Sequence, residues 1–109
     1  MSENLRSVSK KLVEIANLRP AQLHKEAKKA NRKFVNAVSE IAYNILNGAV
    51  ELSKSVKRKL LSSKLVQLLS SKKNTIATKQ KALAKKNAAV VLKLLIAAAL
   101  PVLISLRNG

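Results

Sequence analysis

Apolar positions along this chain recur at helical spacing. Leu5, Val8, Leu12 and Ile15 follow a 3-4-3 pattern, one stripe of an amphipathic helix, with Ser2 placed to cap its start. The residue before a proline avoids helical backbone, so this helix is predicted to end before Pro20, which can itself open the next one. In that second helix Phe34, Val38, Ile41 and Ile45 repeat at 4-3-4 spacing. Val35, Ala37, Ala42 and Leu46 widen the face, which makes it the leading helix-packing stripe. The preceding stretch, residues 25–33, has only alanines among its apolar positions and is predicted to be solvated. Asn47-Gly48 is a stop signal, because both residues tolerate the left-handed conformation. A kinked helix running through Gly48 to Leu52 is the competing reading.

A third helix over 54–70 has Ser53 as its cap. Val56, Leu60, Leu61, Leu65, Leu68 and Leu69 form its apolar side, and Lys57, Arg58, Lys59 and Lys64 its other face. Residues 71–74 read as a turn, with Asn74 or Thr75 capping the last helix. The expected fold is therefore all-α, with three to four helices over about 3–18, 20–46, 54–70 and 75–106. It divides into a mixed-charge segment (1–51), a basic segment (52–87) and an apolar tail (88–106).

Lys93 is the only charge within the nineteen residues Ala88–Leu106. As a helix they span about 28 Å, against a hydrocarbon core of roughly 30 Å. Val90, Val91, Leu92, Leu94, Leu95, Ile96, Leu100, Val102, Leu103, Ile104 and Leu106 are the anchor residues this reading nominates, for a membrane or a capsid shell. Lys93 would snorkel toward an interface, and Pro101 would kink the span. A half-buried helix would alternate, whereas residues 90–96 are apolar on every side except at Lys93. A 109-residue chain also has little core in which to hide such a helix. Membrane contact, or burial in an oligomer, is thus the predicted fate. The plain alternative is a buried last helix of a small bundle.

Charge sharpens this picture. The formal net charge is +17, and all five acids lie in the first 51 positions. Residues 52–109 hold thirteen Lys or Arg and no acid. A compact chain so charged repels itself, which predicts an anionic partner. The nominated contacts, to nucleic-acid backbone or anionic lipid, are Lys54, Lys57, Arg58, Lys59, Lys64, Lys72, Lys73, Lys79, Lys81, Lys85 and Lys86. Lysines outnumber arginines seventeen to five, which favours phosphate neutralisation over base reading. Phe34 and Tyr43 are the only aromatic residues, too few to stack a single strand, and both read as helix-packing residues. Lys57-Arg58-Lys59 with Lys72-Lys73 also has the form of a nuclear localisation signal. A solvated face is the bland reading, but such faces interleave acids with lysines, and this one does not.

Catalytic patterns do not emerge. There is no cysteine, and His24, the only histidine, reads as an exposed side chain without ligand partners. The glutamates are single, Glu26 being explained by surface pairing with Lys29, and the serines have no neighbouring base. No glycine-rich phosphate loop is present. The expectation is a protein that is not an enzyme, with no cofactor, no metal and no small-molecule substrate. The polar start at Ser2 does not have the form of a secretory signal peptide.

Ile45-Leu46-Asn47-Gly48, Leu52-Ser53, Lys57-Arg58-Lys59-Leu60, Ser71-Lys72-Lys73 and Lys79-Gln80-Lys81-Ala82-Leu83 follow in an order that resembles small basic proteins of Polinton (Maverick) elements and adenovirus-like agents. Leu94-Leu95-Ile96-Ala97-Ala98-Ala99-Leu100-Pro101 is similar to the apolar tail of the adenoviral core protein precursor X or mu. Such proteins often carry a Gly-Gly pair before the tail. Here Asn87-Ala88-Ala89 stands in its place, which predicts a continuous last helix. The resemblance implies a minor virion component that condenses DNA or acts on membranes during entry, found in the virion and the host nucleus.

The expected function is a structural protein that binds the backbone of double-stranded DNA without sequence preference and anchors through its tail. One alternative is a tail-anchored or membrane-permeabilising protein, the mitochondrial outer membrane being a fitting destination. Another is a soluble helical bundle that forms homo-oligomers.

Overall fold

The computed structural model describes residues 3–108, and the side chains of residues 6–105. The proposed Ser2 cap and the side chains of Leu5 and Leu106 lie outside this range. Seven helices follow one another: α1 (Glu3–Ile15), α2 (Pro20–Lys28), α3 (Arg32–Leu46), α4 (Lys54–Leu61), α5 (Lys64–Ser70), α6 (Ile76–Leu83) and α7 (Ala88–Asn108). No strand occurs among the described residues. The all-α expectation holds, but three to four helices understates the count.

Three expected helices are each divided in two, and local chemistry explains two of the breaks. At the first, the Asn31 side chain accepts from the Phe34 amide at 2.9 Å, which caps α3 and separates it from α2. At the second, Ser63 Oγ accepts from the Val66 amide at 3.3 Å and starts α5, while the Ser62 hydroxyl donates to the Arg58 carbonyl at 2.8 Å at the end of α4. At the third, α6 stops at Leu83 and α7 begins at Ala88, so the basic and oily parts are not one continuous helix. The expected caps Ser53 and Thr75 are observed, and Gly48 (φ +74) terminates the α3 region instead of kinking a longer helix.

The helix-packing stripe of α3 is buried as its spacing predicts: Phe34, Val38, Ile41 and Ile45 are all at most 5% exposed. Ala27, in the stretch expected to be solvated, is also buried, together with Leu23 on the same α2 face.

Helix α7 touches each of the other six helices, α1 most extensively. Leu92, Leu95, Ile96 and Leu103 are fully buried in a core shared with Leu12, Leu23, Val35, Ile41, Leu60, Leu69 and Leu83. One continuous core thus draws on all three segments read from the sequence. Overall extents of 31 × 29 × 27 Å leave no room for a protruding tail. A chain this short can cover a 21-residue helix because six short helices, none longer than 15 residues, wrap it from several directions. Wrapping is incomplete, however: Val90 and Ile104 are exposed, and 39% of the 88–105 stretch is buried.

Lys93 does not snorkel toward an interface. Its ammonium donates to the Leu18 carbonyl at 2.7 Å, just past the end of α1, where helix carbonyls are left unpaired. The one charge of the apolar stretch thereby ties α7 to α1.

Candidate polyanion-binding surface

Ten of the eleven nominated cations are exposed. Lys54, Lys57, Arg58 and Lys59 stand on α4, which buries Leu60 in the core, packs Val56 partly against it and leaves these four cations exposed. Lys64 opens α5, Lys72 and Lys73 occupy the α5–α6 turn, Lys81 is on α6, and Lys85 and Lys86 fill the α6–α7 turn. The short, separately capped helices have a consequence here: each turn places its lysines at a corner of the bundle, where long side chains are solvated.

Folding brings some of these cations together. Lys64 and Lys85 line one groove of about 360 Å³ between α5, α6 and α7, whose floor includes Leu65, Leu68, Ala82 and Val91. Lys72 and Lys79 line a second pocket of about 320 Å³. Lys57 instead borders a depression that Glu51, from the preceding loop, also lines. The sequence asymmetry of acids and bases is therefore softened in space, since Glu40 also lines the pocket of Lys72 and Lys79.

Lys79 is the exception among the eleven. It is 7% exposed on the inner side of α6, and desolvation by burial lowers its pKa from the usual lysine value. It is a wall of a pocket and not part of an outer face. Ser39, on α3, lines the same pocket, and its Oγ is buried with no hydrogen-bond partner. Leaving a buried hydroxyl unpaired costs about 1–3 kcal/mol.

Tyr43 corrects a further expectation. It is 44% exposed instead of packed in the core, and the Lys72 ammonium lies 5.2 Å from its ring centroid. His24 is likewise not a free surface histidine: its Nε2 is 2.9 Å from the Ala84 carbonyl oxygen, joining α2 to the end of α6. Glu26 pairs across helices with Lys11, at 4.0 Å, where the sequence suggested Lys29 on its own helix.

Sequence reading also left out a cationic group that the fold makes relevant. Lys25, Lys28, Lys29 and Arg32 are all exposed around the α2–α3 turn. Gln80 donates to the Ala30 carbonyl at 2.9 Å, which docks that turn on α6 beside Lys81. The density of lysines between 25 and 33 was the available signal; their apposition to α6 depends on a contact fifty residues apart in sequence.

Chemically, the surface can neutralise closely spaced phosphates by many single ammonium contacts. Among the described residues, no group of three or more His, Cys, Asp or Glu comes together to hold a metal ion. Comparison with protein-family models, with curated proteins and with solved structures finds no match to this chain.

Proposed function

We propose that this protein is a non-enzymatic structural protein that binds the phosphate backbone of double-stranded nucleic acid without reading its sequence. The observation that carries this is the exposure of ten nominated cations on α4, α5, α6 and the turns between them, in a half of the chain without a single acid. Lysine predominance and the lack of an exposed aromatic platform beyond Tyr43 favour a backbone over bases. The exposed cations of the α2–α3 turn extend the same surface. A place in a virion, in the nucleus of an infected cell, rests on the sequence resemblance.

The test is duplex binding measured by anisotropy across salt. With 6–10 phosphates engaged, affinity falls by about 10³–10⁵ between 50 and 200 mM salt. Binding that is absent at low salt, or flat across that range, overturns the proposal.

A second reading is favoured by α7, whose residues Ala88–Ser105 are long and apolar enough to cross a membrane. In this reading the bundle opens at an anionic bilayer, lysines meeting headgroups and α7 leaving the core to act as the anchor. Insertion would require giving up the packing of Leu92, Leu95, Ile96 and Leu103 and the Lys93 bond to α1. The folded bundle binding through its surface demands no such cost, and for that reason nucleic-acid binding is the primary proposal. Co-flotation of the intact chain with neutral vesicles, lost when residues 88–109 are deleted, would favour the membrane reading instead.

A further inference from the structure

We infer that the pocket between α3, the end of α5 and α6 is a binding site for a phosphate monoester, built from Lys79, Lys72 and Ser39. Three features of the pocket point there. Lys79 is a cation 7% exposed, withdrawn from solvent in a chain that leaves its other nominated cations outside. A buried ammonium is stabilised by an anion that enters with it. Lys72 lines the same wall, its ammonium held 5.2 Å from the Tyr43 ring centroid. Ser39 Oγ is buried without a hydrogen-bond partner, a donor set into the pocket wall.

The chemistry narrows the ligand class. Two ammonium groups and the Ser39 hydroxyl supply donors to several oxygens at once, which suits the three terminal oxygens of a phosphate monoester; the Ser70 hydroxyl also lines the pocket but donates to the Gln67 carbonyl at 2.9 Å. A diester inside a strand offers only two free oxygens and remains held along its chain. Glu40, also at the wall, opposes a purely anionic ligand and suits one that carries hydroxyl groups beside its phosphate. The volume of about 320 Å³ leaves room for the group esterified to the phosphate, with the half-exposed Tyr43 at the edge. A nucleoside monophosphate has this composition. So has the phosphorylated end of a nucleic-acid strand.

The site shares Lys72 with the outer cationic face, but Lys79 and Ser39 belong to the pocket alone, so variants at those two residues let the two proposals fail independently. The test uses the intact chain and measures acylation of Lys79 by an amine-reactive reagent, resolved by peptide mass spectrometry, with exposed Lys73 as internal reference. Adenosine 5′-monophosphate, adenosine, inorganic phosphate and short oligonucleotides with and without a 5′-phosphate are the probes.

The expected result is protection of Lys79, relative to Lys73, by the monophosphate and not by adenosine. Ser39→Ala, which leaves the net charge unchanged, should weaken that protection about tenfold, the worth of one hydrogen bond to a charged group. Protection by the phosphorylated oligonucleotide and not its 5′-hydroxyl counterpart assigns the site to strand ends; protection by the free nucleotide alone assigns it to a small molecule. Equal protection of Lys79 and Lys73, equal effects of adenosine and its monophosphate, or full protection retained in Ser39→Ala would each overturn the inference. Lys79→Met serves as the second variant, and in it the monophosphate should no longer shift the Ser39 and Tyr43 amide resonances.

Discussion

Helices α3 and α7 both fill the core, yet their sequences announce it very differently. In α3 the apolar residues fall on one stripe, and that stripe is the buried face. Its outward positions are polar or half-exposed, so the pattern states both that the helix packs and how it is turned. In α7 nearly every position is apolar. Such a pattern specifies an oily environment without saying whether protein or lipid supplies it. What distinguishes the two environments is a single polar contact, the Lys93 ammonium on the Leu18 carbonyl, which only a protein partner offers. The lesson is that a uniformly apolar helix is oriented by its exceptions.

The sharpest way to break this comparison is to truncate side chains on opposite sides of α7. Leu95 is fully buried and Val90 is 62% exposed. Leu95→Ala is expected to cost about 2–5 kcal/mol, and Val90→Ala less than about 0.5 kcal/mol. Urea denaturation followed by circular dichroism measures both. Equal, small effects would mean that α7 is not part of the core in water. Ile41→Ala, on α3, should fall in the same range as Leu95→Ala, because both residues leave a cavity in the one shared core.

A second measurement separates surface from core. Replacing Lys57, Arg58 and Lys59 together with Gln should leave folding stability nearly unchanged, since all three are exposed. Duplex affinity should nevertheless fall, and the slope of log affinity against log salt should flatten by about 2–3 if each side chain meets a phosphate.

How much was legible follows from where each structural determinant resides. The Phe34/Val38/Ile41/Ile45 face, the Ser53 and Thr75 caps and the Gly48 stop all depend on residues within one or two helical turns, and all could be read from spacing. The breaks at Asn31 and Ser63 are local too, but they sit in runs of good helix formers, where a single capping residue competes with propensity and only packing decides the outcome. The contacts of His24 with Ala84, Gln80 with Ala30 and Lys93 with Leu18 join residues 50 to 75 positions apart. No periodicity records such pairs. Of the cationic site, the exposed lysines were legible from charge alone. The withdrawal of Lys79 was not, because it depends on α6 turning that position toward α3, where Ser39 and Tyr43 stand.

Lys93 offers a finer test of why α7 differs from α3. Lys93→Met preserves the apolar stem and removes the donor to Leu18. It is expected to destabilise the bundle by about 1–2 kcal/mol, as for loss of a charged hydrogen bond to a partly buried carbonyl. If α7 instead belongs in a bilayer, the same change makes the span more apolar and strengthens vesicle binding. Stability and flotation should thus move in opposite directions in this one variant.

The smallest effect concerns Lys79, the cation that α6 turns inward. Its folded-state pKa lies below its unfolded value because burial disfavours the charged form. The unfolded chain therefore binds more protons between those two pKa values, and stability should rise with pH across that window. Below the folded pKa the full desolvation penalty is present; above the unfolded pKa it has vanished. Removing the charge in Lys79→Met should stabilise the protein at neutral pH, and the gain should shrink as pH approaches the ordinary lysine range. Taking the difference between variant and parent at each pH cancels the repulsion that every other lysine relieves on deprotonation. A gain that stays constant from neutral to alkaline pH would assign the effect to packing of the methionine and not to the buried charge.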